Sequence, residues 1–535
     1  VKIHRILGVI IVSVAGLAIA TCPGLTQRGN QSDISGPNMS DITGPDLEDF
    51  GFDEEFYEGF EEEFDEEFDE EFDEEFDYFD EDKIDRGEYE SQLEQLEIDI
   101  SLEFIEEYQA IEFSDYLGVD LFGEIPSLEE IAKTLYELWQ TTGQKSAFIY
   151  VTARDRSLDI VTVFPDGSLS QGLVSSRVNH PEILTNVFTQ YRQKQFTQKA
   201  IVPDVDRQKL LADVMKFRLQ ILSPQYRNSQ QYLPLSKKLY QLLITPIEDR
   251  LKVENIQNLV FSMDSGLRYL PLAVLHDGEQ FLIEKYGISL VPSFGLTDIS
   301  YVDIRDRPVL AMGSAKFEGL PALPGVPLEV TNILEIPWIG ESFINEEFTL
   351  NNFKQQAASQ NFGVIHLATH AEFKPGRLEN SYIQFFEDKL NLLQFRQLAQ
   401  DLGWTSVENP PIELLVLSAC RTAVGEEQAE LGFAGLAVLS GVKSVLGSLW
   451  YVSDAATLGL MSEFYHHLRE TPIKVQALRE SQLALLRGKV EVKDGLLYLS
   501  TGETLALPPE LAQFEGIDFS HPYYWSAFTL VGNWN

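Results

Sequence analysis

PPIELLVLSACRTAVG, residues 410–425, is the stretch on which the fold turns. Leu414, Leu415, Val416 and Leu417 are apolar without a break, and Ser418, Ala419 and Cys420 follow. A run that is apolar at every position suits a strand buried on both faces of a parallel sheet, and this one ends on a thiol. The 535-residue chain has two cysteines, and the other, Cys22, lies in a leader-like segment. Similar runs recur through the second half: NLVFSM, YLPLAVL, YGISLVP, PVLAMGS, FGVIHLAT and KSVLGSL. Helical stretches lie between them, around 326–336, 350–360, 391–402 and 428–441. That alternation predicts an α/β fold with a mostly parallel β-sheet sandwiched between helices. In such sheets binding sites form just past the carboxyl ends of strands.

The pattern begins near residue 256. Upstream, SAFIYVTARDRSLDIVTVFPDGS (146–168) reads as two alternating strands around a polar turn, closed by Pro165, Asp166 and Gly167. Amphipathic helices are expected at about 182–195, 207–222 and 231–252. Residues 84–140 read as helical, with Leu93, Leu96, Ile100, Phe104 and Tyr108 at three-to-four spacing. The chain therefore parses into 1–22, 23–83, a helical region 84–144, a hairpin with helices over 145–255, and the α/β part 256–535.

The formal net charge is -44, and it is unevenly placed. Residues 46–82 hold 23 Asp and Glu and no Lys or Arg, with Phe at 52, 56, 60, 64, 68, 72 and 76. On a helix a spacing of four drifts by about 40° per step, so the rings form no stripe, while neighbouring carboxylates repel. The segment reads as a disordered acidic linker, either a solvating spacer or an arm that binds calcium, a basic partner or the protein's own cleft. Lys and Arg are not clustered anywhere as the phosphate term of nucleic-acid binding demands, so nucleic acid is excluded as a partner. The start, VKIHRILGVIIVSVAGLAIATCPG, has Lys2 and Arg5 before an apolar run that ends in Ala18-Ile19-Ala20. It reads as a signal peptide and an exported protein, with an uncleaved or lipidated membrane anchor as the alternative.

Two runs end in reactive groups. FGVIHLAT leads to His370 and IELLVLSA to Cys420. If their strands are parallel neighbours, imidazole and thiol face each other at the sheet's carboxyl edge, the arrangement a thiol nucleophile needs. The backbone N–H groups of Ala371 and Cys420 then stand where an oxyanion would form. A free cysteine is also a small buried hydrophobe in many proteins, so the residues alone leave both readings open. His366 lies four positions before His370 on the same strand face, and reads as a core histidine. His466 and His467 fall on an amphipathic helix and read as surface residues.

VIHLATHAEF, LLVLSACRTAVG, LGFAGLAVLSGVKSVLGSLWYVSDAAT and HPYYWSAFTLVGNW, in this order, strongly resemble the CHAT domain, a caspase-like family in the clan of separases and metacaspases. LVFSMDSGLRYLPLAVLHDGEQFLIEKYGISLVPS and LPGVPLEV resemble its earlier half, so the likeness spans roughly 145–535. The resemblance implies a Cys–His dyad at Cys420 and His370. Members usually carry Gly after the histidine, where this chain has Ala371. The resemblance further implies a substrate pocket with Trp450 on its wall, though an aromatic that closes a strand is as often a core residue. Relatives that cut after Arg or Lys place a carboxylate there, and Asp454 is the candidate, with an N-cap of the next helix as its other reading. The expected function is a cysteine endopeptidase acting on protein or peptide substrates, needing no cofactor, with calcium a candidate activator and a regulatory protein a candidate partner. The alternative is a catalytically silent caspase-like scaffold that binds a partner through the domain and the acidic arm.

Overall fold

The structure, a computed structural model, describes residues 86–95, 98–118, 125–166, 196–336, 338–359, 362–374, 377–404, 412–418, 421–422, 435, 440–450 and 453–535. All belong to the unit Phe76–Asn535; the unit Val1–Glu75 lies outside them, and with it the leader and most of the acidic repeat. The helices expected at 182–195 and 428–441 also fall largely outside the described residues.

The hairpin forms as its alternation predicts. Strands β1 (Ser146–Arg154) and β2 (Ser157–Val163) pair antiparallel around the two-residue turn Asp155-Arg156. β1 also pairs in parallel with β4 (Asn258–Met263), so the hairpin joins the same sheet as the later apolar runs. Those runs become β5 (Gly287–Leu290), β6 (Val309–Gly313), β8 (Val364–Ala368), β12 (Leu414–Ser418) and β14 (Ser444–Ser448). Each is buried at every residue, so helices cover both faces, as unbroken apolar strands require.

One run departs from expectation. YLPLAVL supplies a short 3-10 turn, Leu272–Val274, in place of a strand. Pro271 stands just before it and has no N–H to give to a ladder. Three strands of this large sheet were not foreseen: β3 (Thr197–Pro203), β7 (Gly340–Ile344) and β18 (Phe528–Gly532). β3 and β7 are the two edges, where one-sided pairing leaves a weaker apolar signature.

The sheet has eleven strands in the order β3-β2-β1-β4-β5-β18-β14-β12-β8-β6-β7. It is mostly parallel: β2 is antiparallel to β1 and β3 at one end, and the direction reverses once more in the middle. β14, β12, β8, β6 and β7 run one way. β18 is antiparallel to β14 and parallel to β5, and β5, β4 and β1 continue in that opposite sense. The sheet therefore has two carboxyl edges, one at each end of its strands.

Helices flank it where periodicity places them. α1 (Arg86–Gln95), α2 (Ile98–Leu117) and α3 (Leu128–Thr142) precede the hairpin. α3 starts in a Ser127–Glu130 capping box and stops at Gly143, whose φ of 72° suits glycine. α4 (Arg207–Leu222) follows β3, and the helix expected at 231–252 is two, α5 (Leu233–Leu243) and α6 (Thr245–Val253). Pro246 cannot continue the hydrogen-bond ladder of a helix already running and instead occupies the first turn of a new one. Beyond β6 come α7 (Val326–Glu335), α8 (Leu350–Ser359), α9 (Leu392–Asp401), α10 (Asp454–Glu470) and α11 (Lys474–Leu486). α7 packs on β6, β7 and β8 and against α10, which in turn packs on α11. A small sheet, β11 (Lys389–Asn391), β10 (Tyr382–Gln384), β9 (Ala371–Phe373) and β13 (Arg421–Thr422), stands at the carboxyl end of β8, and β15 (Glu491–Lys493), β16 (Leu496–Tyr498) and β17 (Thr504–Ala506) form another. No helix among the described residues is long and apolar enough to cross a membrane.

Candidate active site

β8 and β12 are parallel neighbours in register, with Ala368 opposite Ser418. Past that pair the chain of β8 is held by hydrogen bonds. The Thr369 N–H donates to the Ser418 carbonyl at 2.9 Å, and the Thr369 hydroxyl donates to the Gln384 carbonyl at 2.5 Å. His370 follows, and its carbonyl accepts the Gln384 N–H at 2.8 Å. His370 thus marks the joint between the large sheet and the small one, with its backbone fixed from both sides.

The imidazole is oriented by the loop after β6. Nε2 lies 2.9 Å from the Pro321 carbonyl. A carbonyl can only accept, so Nε2 carries the proton and the lone pair is on Nδ1. The Phe317 ring meets the imidazole edge to face at 5.2 Å between centroids. Burial lowers the His370 pKa, only partly offset by the Pro321 bond, so the ring is neutral and ready to take a proton.

Cys420 lies outside the described residues. Ser418, two residues before it, and Arg421, just after it, are described. Ser418 is opposite Ala368, and Arg421 of β13 is opposite Glu372 of β9. Both flanks of position 420 are therefore paired with the flanks of His370.

Ala371 is 2% exposed and extended, and it is not among the residues with positive φ. Glycine's freedom is not needed here, and alanine fits without strain. Ala371 is opposite Ile383, and the Gln384 N–H bonds the His370 carbonyl, which makes 371–383 a non-hydrogen-bonded pair. The Ala371 N–H consequently turns away from β10, towards the side on which β13 runs.

Asp454 is the first residue of α10, with Ser453 at the N-cap. Its Oδ2 accepts the Gly325 N–H at 2.6 Å, so the carboxyl group is engaged by the loop before α7. Trp450 is 2% exposed and donates its indole N–H to the Tyr523 carbonyl at 3.1 Å. His366 is wholly buried, as its place inside β8 implies; its Nε2 is 3.0 Å from Glu329 and its Nδ1 is 3.1 Å from the Tyr465 hydroxyl.

The pair His466 and His467 is not a free surface pair. His466 lies 2.8 Å from Glu503, and His467 lies 3.3 Å from the fully buried Glu463, whose Oε2 also accepts the Ser500 hydroxyl. Residues 500 and 503 bring their polar groups onto that face of α10, and helical periodicity alone does not foretell a neighbour so distant in sequence. Sequence reasoning also missed Phe317 and Pro321. A backbone carbonyl has no side-chain signature, and the loop carries no other mark of its task.

Sequence comparison gives the family. The model of the CHAT domain matches residues 233–533, more than half of the chain, and the protein belongs to that family. Among solved structures it is similar to a chain of the Saccharomyces cerevisiae separase–securin complex, with 11% identity and a TM-score of 0.41, over 84% of this chain and 34% of that one. It is also similar to the Arg-specific cysteine proteinase gingipain R, with 9% identity and a TM-score of 0.33, over 55% of this chain and 68% of that one. The chain spans about a third of the separase-complex chain it matches. No curated protein matches the sequence.

Proposed function

We propose that the protein is a cysteine endopeptidase in which Cys420 is the nucleophile and His370 the base. The observation that carries this reading is the fixed His370 ring: its Nε2 proton is committed to the Pro321 carbonyl at 2.9 Å, which leaves Nδ1 as the basic nitrogen. Nδ1 takes the thiol proton, the sulfur attacks the scissile carbonyl, and the imidazolium then protonates the leaving amine. Water completes hydrolysis of the thioester, with Nδ1 again as base. The N–H groups of Ala371 and Cys420 stabilise the oxyanion. The pairing of both flanks of position 420 with both flanks of His370 supports this assignment.

The substrate is an extended segment of a protein or peptide, and a regulatory protein partner and calcium are the activating factors to be tried. The test is covalent labelling of the full chain by a peptidyl electrophile, for wild type, Cys420→Ala and His370→Ala, with and without calcium and with and without residues 46–82. Labelling of wild type alone supports the peptidase. Wild type that resists every condition makes the protein a binding scaffold.

A further inference from the structure

The proposed dyad leaves the acidic group at this edge of the sheet without a task in the reaction. Asp454 bonds across to the N–H of Gly325, which is the N-cap residue of α7. A β-carbon at position 325 would lie 2.9 Å from Oδ1 and 3.1 Å from Oδ2. The carboxyl group therefore lies against bare backbone, and a glycine permits the approach.

Gly325 ends the loop 314–325, and that loop holds His370. At its start the Ala315 N–H donates to Asn345 Oδ1 at 2.9 Å, and the Leu323 N–H returns to the Ala315 carbonyl at 2.8 Å. Between these fastenings, buried Phe317 and exposed Pro321 supply the ring and the carbonyl that orient the imidazole. We propose that Asp454 is a positioning residue: its carboxyl group clasps the loop 314–325 and so keeps the Pro321 carbonyl on His370, in place of reading a basic substrate side chain. The consequence for catalysis rests on the peptidase reading; the clasp itself does not.

Protonation tunes the clasp. Burial first, and then the Glu329 carboxylate, push Asp454 up to about 7, against the opposing pull of the Gly325 N–H. The charged group facing it is Glu329 on α7, which is paired with His366 of β8. An opened loop that lets water reach Asp454 would return its carboxyl group to the ordinary range, about 3.9. The closed loop is thus favoured by the acid form. Its advantage is complete below about 4, falls as pH rises, and is gone above about 7.

Hydrogen exchange on the full chain tests this without any turnover. In wild type, protection of residues 314–325 falls by up to roughly tenfold per pH unit between pH 5 and 7, then levels. Asp454→Asn keeps an acceptor and cannot ionise, so its protection is independent of pH. Asp454→Ala, and Gly325→Ala as an independent way to unseat the carboxyl group, lose protection at every pH. Alkylation of Cys420 by iodoacetamide, which has no side chain to be read, slows about tenfold in Asp454→Ala and recovers in Asp454→Asn. A pH-independent loop in wild type overturns the proposal. So does an Asp454→Ala protein that keeps its loop protection and iodoacetamide rate yet loses cleavage after Arg or Lys. Wild type that exchanges as expected but never alkylates at Cys420 keeps the clasp and rejects the peptidase.

Discussion

The sheet's two carboxyl edges offer the same opportunity and meet different ends. Past β4 and β5, on one edge, the turn after β5 presents the N–H groups of Phe294 and Gly295, which converge on a carboxylate of the protein itself. Glu106 of α2 accepts them at 2.8 and 2.9 Å and accepts the Tyr150 hydroxyl at 2.5 Å. Asp264, just after β4, is taken by the Arg86 guanidinium through two bonds of 2.8 and 2.5 Å, and Gln109 accepts the Ser262 hydroxyl at 2.7 Å. Past β8 and β12, on the other edge, the described residues place no helical carboxylate on the histidine, which is held by the Pro321 carbonyl of the loop 314–325. The comparison separates two uses of strand-end polarity. One edge is filled by α1 and α2; the other carries His370, where we propose the reaction takes place.

The largest effect that could break this contrast is at the open edge. Cys420→Ala and His370→Ala are expected to lower the rate of electrophile labelling by roughly a thousandfold or more, with unchanged urea unfolding. If both variants label like wild type, the two edges are alike and neither is reactive.

Next in size is the latch on the closed edge. Arg86→Ala leaves Asp264, 4% exposed, without its guanidinium partner. A buried carboxylate deprived of its partner costs about 3–5 kcal/mol, and this pair, with Arg86 partly exposed, belongs at the lower end. Urea unfolding measures it. Burial alone would raise the Asp264 carboxyl, but Arg86, Arg207 and Arg268 hold it below its usual value. Its folded pKa is therefore below the unfolded one, and its contribution is present above about 4 and lost as pH falls through the folded value. Wild type should show that acid limb, and Arg86→Ala should have lost most of it. Labelling of Cys420 at neutral pH should not change at denaturant-free stability.

Smaller again is the plug. Glu106→Ala leaves two N–H groups and a hydroxyl unsatisfied in a buried place, at about 2–3 kcal/mol, while Glu106→Gln keeps an acceptor and should cost about 1 kcal/mol. Burial raises the Glu106 pKa, against its four hydrogen-bonding neighbours. Its contribution is thus greatest below the unfolded carboxyl range and is lost as pH rises through the folded value. Wild type should gain less stability than Glu106→Gln between pH 4 and 7, measured as the urea midpoint.

What the sequence made legible follows from the same physics. Strands with apolar residues at every position, such as Leu414–Leu417, announce themselves, and they led to His370 and to Cys420 as strand-end groups. The reversal between β14 and β18 was not legible, because hydrophobicity carries no strand direction; PVLAMGS and YGISLVP look alike and run opposite ways. Nor was the clasp, since Asp454 and Gly325 are 129 residues apart and each has an ordinary local reading, a helix start and a turn. Phe317 and Pro321 act on His370 through a ring face and a carbonyl, features with no pattern in one dimension.

Ala371 is the finest test of how the open edge works. The family usually has glycine after the histidine, yet here alanine is extended, 2% exposed, and set with its N–H towards β13. If the N–H alone serves the oxyanion, Ala371→Gly should label within about twofold of wild type, because the donor is unchanged. Stability should fall by about 1 kcal/mol, from the lost methyl group and the added freedom of the unfolded chain. A tenfold faster rate in the glycine variant would mean that the methyl group crowds the oxyanion, and that this edge was narrowed without being closed. A tenfold slower rate would mean that the backbone at 371 needs the stiffness alanine gives it, so that the open edge, like the filled one, depends on being held rigid.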